Sequence, residues 1–464
     1  MRVLQSVQPS AEQLPIVLNN RAGVAVLRGA AGSGKTTTAL LRLKQLCRVR
    51  LARRTREEQT APVRVLVLTY NRSLAGYVAA LAQEQVADDP GLELTVSTFA
   101  AWAQGLIGRV AVLDNDDRRA IIGRLGASMP LSTPFLDGEV GYALGRFESW
   151  SIDEYLQRDR DGRGTAPRVD KTRMLNEVLA PYIAHKQANG LRDWHDIAEQ
   201  AAAAPNSAYD VIIVDEAQDF TANQIRAVLA HQAQGASVTF VLDTVQRIYP
   251  SFFTWREVGL DATKFVLNAR LGENRRNTRQ IAAFARPFVE GLPVDENGQL
   301  PDLNSALSDG PMPIVFGGTF SEQAAEILAY LDHVDLDAES VGILHPLGAG
   351  WFDTLREHLD DAGVRYVELS TRRQWPTGPV NVGLSTLHSA KGLEFDHVIV
   401  CGVTGRTASA PDDDNDTDTQ NLRRLLAMGF GRAKIGLMLC HDPSKPAAVL
   451  RHLDPGTHEQ RGHP

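Results

Sequence analysis

Residues 29–36, which read GAAGSGKT, constrain the fold of this chain more than any other stretch. An apolar run, GVAVLRG, leads into them, and a helical pattern, TTTALLRLKQL, follows. Glycines allow the backbone to wrap around an anion, which successive N–H groups and the N-terminus of the helix then bind. The pattern therefore predicts a strand, a phosphate-binding loop and a helix, which together begin an α/β domain.

The residues of this loop have distinct predicted roles. We expect the Lys35 ammonium to reach the β- and γ-phosphates of a nucleotide, and the Thr36 hydroxyl to bind Mg²⁺. The alternative, a simple glycine-rich turn, is disfavoured because strand and helix patterns flank the loop. The residues predicted to contact the nucleotide are Gly29, Ala30, Ala31, Gly32, Ser33, Gly34, Lys35, Thr36 and Thr37.

A second chemical feature is the acidic end of the run DVIIVDE at residues 210–216. In open parallel sheets, ligands bind at the carboxyl edge of the strands. Asp215 is therefore expected to hold Mg²⁺, and Glu216 to take the proton from an attacking water. A lone Asp-Glu pair is more often a solvated strand end, so this interpretation depends on the phosphate-binding loop.

Short apolar, β-branched runs alternate with helical patterns along most of the chain, which is typical of parallel sheets buried on both faces. The fold class is therefore predicted as α/β with two parallel-sheet domains. We assign residues 1–105 and 191–268 to the first domain and residues 269–455 to the second. Residues 106–190 are expected to form a helical insertion in the first domain, and residues 456–464 a disordered tail.

Composition limits the class of protein. The 464 residues contain no long apolar run, which argues against a membrane span. Their formal net charge of −8 argues against a protein that binds nucleic acid by bulk charge. The start of the chain shows no secretory signal, and the three cysteines are widely spaced. We expect a cytoplasmic protein with reduced thiols.

The motifs resemble those of superfamily 1 helicases of the UvrD/Rep/PcrA type. The stretch VDEAQD resembles motif II, and the segments PSAEQ, VLTYNRSLAGYV, VSTFAAWA, VLDTVQRIYP, LGENRRNTRQI, STLHSAKGLEFD and RRLLAMGFGRAK resemble further motifs in the family's order. The resemblance covers nearly the whole chain and implies two RecA-like domains with a helical 1B-like insertion. It implies a 3′–5′ translocase or helicase with ATP and Mg²⁺ as cofactors.

The resemblance also implies roles for single residues. Gln13 would read adenine, Gln246 would sense the γ-phosphate, and Glu394 would contact the nucleotide. Arg276 and Arg432 would neutralise phosphate charge from the second domain, as arginine fingers do. Single-stranded DNA is the expected track, and the residues do not distinguish it from RNA. The positions expected to contact it are Tyr70, Asn71, Thr98, Phe99, Trp255, Thr386 and His388. For Phe99 a place in the core is an equal alternative.

Three departures from the family pattern affect the predicted function. In the segment with Arg432, Ala427 and Gly431 replace a tyrosine and a threonine, which would alter the coupling between ATP and the track. Arg275 stands where the family has a tyrosine that stacks on adenine, and Thr37 replaces an adenine-side arginine, which suggests a changed base clamp. The large 2B insertion of the long family members has no room between Arg276 and the segment STLHSAKGLEFD. An alternative function is therefore the motor subunit of a repair or phage-defence complex, with a nuclease or another subunit as partner. A third is a nucleotide-gated switch.

Overall fold

The protein was analysed as a computed structural model that describes residues 9–29, 32–69, 75–76, 78–80, 82, 89–157, 169–243, 253–272, 276–292, 306, 308–370, 378–409, 413–414 and 416–463. Two parallel sheets, one of six and one of seven strands, organise these residues. This confirms the predicted α/β class. Within the described residues, no helix is both long enough and apolar enough to cross a membrane.

The first sheet has the order β3-β2-β4-β5-β1-β6, and all of its strands are parallel. Each of its four central strands contains a single charged residue and is otherwise mainly apolar, because helices cover both faces of the sheet. The strands are β1 (Gly23–Gly29), β2 (Val63–Thr69), β3 (Leu92–Thr98), β4 (Tyr209–Val214), β5 (Gln232–Asp243) and β6 (Leu267–Leu271).

The helices of the first unit lie on the two faces of this sheet and bury separate apolar clusters. Helix α2 contributes Leu40 and Leu43 to one face, and α9 contributes Ile225 and Val228 to the other. The helices are α1 (Leu14–Leu18), α2 (Lys35–Arg56), α3 (Phe99–Ile107), α8 (Trp194–Ala203) and α9 (Ala222–Ala230).

A helical unit lies between α3 and α8 in the chain and has an apolar core of its own. That core includes the fully buried side chains of Tyr155 and Tyr182. A buried ion pair from Arg146 to Glu257, at 2.6 Å, attaches the unit to the first α/β unit. The unit consists of α4 (Asn115–Leu125), α5 (Thr133–Arg146), a 3₁₀ segment (Ser149–Leu156), α6 (Lys171–Arg173), a π-helical segment (Met174–Leu179) and α7 (Ala180–Ala188).

The second sheet has the order β13-β7-β12-β11-β8-β10-β9 and is also parallel throughout. Its strands are β7 (Ile314–Gly317), β8 (Val341–His345), β9 (Tyr366–Glu368), β10 (Val382–Thr386), β11 (Phe395–Val403), β12 (Ala433–His441) and β13 (Glu459–Gly462). Its helices are α10 (Arg279–Val289), α11 (Phe320–Leu331), α12 (Asp353–Asp361) and α13 (Thr417–Phe430).

Two predicted boundaries are wrong. The division between residues 268 and 269 falls inside β6, which pairs with β1 and so completes the first sheet. The predicted disordered tail instead forms β13, which pairs in parallel with β7 at the edge of the second sheet. Its residues are polar and exposed, so no apolar pattern marks them as a strand.

The contact between β13 and β7 depends on a glycine. A Cβ at Gly317 would overlap the carbonyl oxygen of His463. We expect Gly317→Ala to displace β13, so that amide protons of residues 459–463 exchange with solvent faster in hydrogen-exchange mass spectrometry. Gly105→Ala is the control, because a Cβ there meets nothing within 4 Å. Unchanged exchange in Gly317→Ala would contradict this pairing.

Candidate functional site

The loop between β1 and α2 depends on glycine backbone conformations. Gly32 and Gly34 have φ values of +81° and +75°, a region that other residues rarely adopt. Gly29 is restricted by space instead, because a Cβ there would come within 2.5 Å of the Ser33 hydroxyl and 2.8 Å of the Leu271 carbonyl oxygen. The glycines thus allow the tight curve that a phosphate-binding loop needs.

Helix α2 begins directly at this loop. Its N-cap is Gly34, which has no side chain to cap the helix, and Lys35 is its first residue. The first N–H groups of a helix have no partners within the helix and attract anions. The end of the loop therefore places the N-terminus of α2 next to the Lys35 ammonium, as triphosphate binding requires.

Two oxygen ligands converge beside the loop. The Thr36 hydroxyl donates a hydrogen bond to Asp215 Oδ2 at 3.0 Å, although the two residues belong to different elements. Burial raises the pKa of the Asp215 carboxyl to about 7, with the neighbouring Glu216 adding to the shift. A hydroxyl and a carboxylate are ligands that Mg²⁺ prefers. Bound Mg²⁺ would also compensate for the burial of this acid, so the residues present fit the ion.

Glu216 follows β4 with an unusual backbone. Its φ is +52°, in the left-handed region, which is uncommon for a residue other than glycine. Its carboxylate is buried and accepts a hydrogen bond from the Gln218 amide. Such conformations occur mostly at functional sites, where the surrounding structure holds them. Here the backbone turn directs the chain away from the sheet immediately after the acid.

Gln13 lies next to the phosphate-binding loop. Its side chain is buried, and its Oε1 accepts the Ser10 N–H at 3.0 Å. A Cβ on Gly34 would come within 2.8 Å of Gln13 Nε2. The structure therefore brings the predicted adenine-reading residue close to the predicted phosphate-binding residues.

The second α/β unit contributes a cluster of charges. The Arg276 guanidinium pairs with Glu394 and donates to the Gly431 carbonyl oxygen at 3.1 Å. Lys434 lies 3.6 Å from the same carboxylate. Burial opposes ionisation of Glu394, but Arg276 and Lys434 outweigh it and lower the pKa to about 2. Arg432 is buried beside this cluster, where its Nε donates to the Met428 carbonyl oxygen.

One interaction that we did not predict from the sequence joins the two α/β units. The Lys391 ammonium pairs with Asp219, and both side chains are almost fully buried. Asp219 follows Glu216 by three residues, and Lys391 precedes Glu394 by three. The ion pair therefore brings the acidic end of β4 close to the charged cluster of the second unit. Asp219 lies in the segment VDEAQD and Lys391 in STLHSAKGLEFD. The resemblance of these segments to family motifs was the signal that could have identified the two residues.

The positions predicted to contact a nucleic-acid track have varied surroundings. Phe99 is buried among Trp102 and Phe220, which agrees with the core alternative left open from the sequence. Thr98 caps α3 through the Ala101 N–H at 3.3 Å. Thr386 ends β10, and burial lowers the pKa of nearby His388.

Trp255, the strongest predicted base-stacking residue, is half-buried. Its indole contacts the rings of Phe240, Phe253 and Phe265 at centroid distances of 5.2 to 5.3 Å. These contacts hold the ring in place, and its role toward nucleic acid stays a prediction. Several predicted site residues lie outside the described part of the chain. They are Ala30, Ala31, Tyr70, Asn71, Gln246 and Arg275.

Comparison with known proteins adds independent findings. The model of the UvrD/REP helicase N-terminal domain matches residues 10–257, which is more than half of the chain. The model of the UvrD-like helicase C-terminal domain matches residues 353–442. These two ranges contain the phosphate-binding loop, both acids after β4 and most of the charged cluster.

Among solved structures, the chain is similar to the C-terminal domain of a possible DNA helicase from Lactobacillus plantarum WCFS1. The identity is 19%, the TM-score is 0.31, and the match covers 40% of this chain and 98% of that one. No curated protein matches the chain significantly.

The ion pair between the two units gives a prediction for stability. Lys391→Met leaves the Asp219 carboxylate buried without its cation, and removing one partner of a buried pair costs about 3–5 kcal/mol. We expect the double variant Asp219→Leu with Lys391→Met to lose less free energy of unfolding than the two single variants together. Denaturant unfolding of all four proteins measures this coupling. Additive losses would show that the pair does not couple the units.

Proposed function

Because this chain belongs to the UvrD/REP helicase family, we propose that it couples ATP hydrolysis to movement along single-stranded DNA in the 3′ to 5′ direction. The observation that supports this proposal most is the 3.0 Å approach of the Thr36 hydroxyl to Asp215, directly before Glu216. The charged cluster of the second unit lies close to these residues. Hydrolysis thus requires both units, as expected for a motor.

Each residue has a distinct part in hydrolysis. Lys35 and the N-terminus of α2 bind the phosphates, and Glu216 takes the proton from the attacking water. Thr36 and Asp215 would hold Mg²⁺, which would supply positive charge to neutralise the phosphates. Arg276 and Arg432 stabilise the charge that develops on the transferred phosphoryl group. Gln246 senses the γ-phosphate, as the resemblance implies.

The two units convert this chemistry into movement. ATP binding draws Arg276 and Arg432 toward the phosphates and closes the cleft between the units, whereas hydrolysis releases them. The nucleic-acid strand contacts Thr98 and Trp255 on the first unit and Thr386 and His388 on the second. When the cleft closes, the contacts on one unit therefore move along the strand relative to the contacts on the other unit. Such a motor acts in the cytoplasm.

A second candidate function is the motor subunit of a larger repair or phage-defence complex that unwinds weakly alone. It is favoured by the short connection between β9 and β10, residues 369–381, where longer relatives carry the 2B insertion. A nuclease or another subunit would then gate or complete unwinding. Co-purification with such a partner, and stimulation of unwinding by it, distinguishes this function from an independent helicase.

The first test is the rate of ATP hydrolysis with and without oligo(dT) or oligo(U). We expect one polymer to stimulate the wild-type protein, and Glu216→Gln to lower kcat by about 10²- to 10⁴-fold, since it removes the general base. Glu57→Gln, at the exposed end of α2, is the control. An unstimulated wild type that binds ATP would favour the nucleotide-gated switch.

Strand displacement then tests the direction. Duplexes with a single-stranded 3′ tail should be unwound in preference to those with a 5′ tail. Preference for the 5′ tail would contradict the proposed polarity, and translocation without displacement would favour the motor-subunit function.

The changed base clamp gives a separate prediction. If the Arg275 guanidinium stacks on adenine in place of a tyrosine, Arg275→Ala weakens ATP binding by about 3- to 30-fold, as loss of a cation–π contact of 0.5–2 kcal/mol implies. Equilibrium binding of a fluorescent ATP analogue measures this change. Arg279→Ala is the control, because Arg279 pairs with Asp309 at the surface. Unaltered affinity in Arg275→Ala would exclude the clamp.

A further inference from the structure

An aromatic and a cationic side chain meet at the carboxyl edge of the second sheet, outside every motif discussed above. The indole of Trp351 stacks on the imidazole of His345, with centroids 5.5 Å apart and planes at 18°. The Arg406 guanidinium lies over the same indole at 5.4 Å.

Topology explains why these residues meet. Strands β11, β8 and β10 are neighbours in the sheet and run parallel, so the segments that follow them share one edge. Trp351 follows β8, Arg406 follows β11, and Thr386 ends β10. Gly348 brings the segment after β8 so close to Thr386 that a Cβ would lie 2.5 Å from its methyl group. The cluster therefore borders a residue already predicted to contact the track.

The buried part of the cluster, the His345 ring, is held in place without a ligand. His345 is buried, and its Nδ1 accepts the N–H groups of Leu347 at 3.0 Å and Gly348 at 2.9 Å. Burial lowers the His345 pKa to about 4, so the ring is neutral at pH 7. These bonds hold the turn that carries Trp351, and a preorganised aromatic surface loses little conformational freedom on binding.

The outer part of the cluster is accessible. Trp351 is half-buried, whereas Arg406 and Leu347 are exposed. In the described part of the chain, no carboxylate forms an ion pair with Arg406, and its side chain contacts the indole instead. At an exposed position such a cation–π contact is weak, so a stronger ligand can replace it.

We propose that Trp351 and Arg406 bind one nucleotide of a single-stranded nucleic acid, with the base stacked on the indole and the neighbouring phosphate bound by the guanidinium. This assignment rests on the proposed function, because it places the platform on the track of the same motor. Stacking of bases on aromatic rings is independent of sequence, which suits a motor that moves along any strand. An arginine with no ion-pair partner among the described residues is suited to a phosphate.

Fluorescence anisotropy of labelled oligo(dT) and oligo(U) with the full chain tests this platform. We expect Trp351→Ala to raise Kd roughly 5- to 160-fold, as loss of one stacked base implies. Trp351→Phe should restore most of the affinity. Arg406→Ala should reduce the slope of log K against log salt by about 0.7, since one phosphate contact is lost. The control is Trp150→Ala, a tryptophan 79% exposed on the helical unit.

A kinetic measurement separates binding from a structural role. In Trp351→Ala, the oligonucleotide concentration that half-maximally stimulates ATP hydrolysis should rise far more than the maximal rate falls. Wild-type affinity in Trp351→Ala would overturn the platform and leave this edge as a candidate protein-docking surface. Equal losses in Trp351→Ala and Trp351→Phe, with lowered thermal stability, would also overturn it. A wild-type protein that binds neither polymer would overturn the proposed function together with the platform.

Discussion

The buried ion pair between Asp219 and Lys391 joins the two α/β units next to the residues predicted to hold and cleave ATP, and the geometry of the candidate site depends on it. Each charge lies in a place that water does not reach, so neither is stable there without the other. The pair lies within three residues of Glu216 on one side and of Glu394 on the other. Any change in the distance between the units is therefore transmitted to the residues that would hold and cleave ATP.

Much of the fold follows from local patterns in the sequence. The apolar runs that begin β1, β2 and β4 predicted buried parallel strands, and each strand begins and ends within one or two residues of its expected bounds. β13 escaped this reasoning because it lies at an edge and exposes every side chain, so burial imposed no pattern on it. β6 was divided by a predicted boundary for a related reason, since its alternating residues carry a weak signal.

The candidate site was predictable where one short segment determines the geometry. The loop at Gly34 and the acid pair after β4 are of this kind, because glycine conformations and strand ends are local properties. The contact of Asp219 with Lys391 depends on how the two sheets are placed relative to each other, and the stack of His345, Trp351 and Arg406 depends on which strands become neighbours. Strand order is set by packing of the whole sheet, so no spacing in the sequence reports it.

In the described part of the chain, the helical unit between α3 and α8 has an apolar core separate from those of the two sheets. Buried polar contacts hold it to the first unit, among them the Arg146–Glu257 pair and the hydrogen bonds of the Asn223 amide to the Leu144 and Phe147 carbonyl oxygens. The unit can therefore evolve separately from the two sheets. Its outer surface, including the exposed Trp150, can change or be exchanged while selection on the phosphate-binding loop stays constant. Divergence among chains with this architecture should therefore be fastest in residues 113–188, and new partners should be acquired there first.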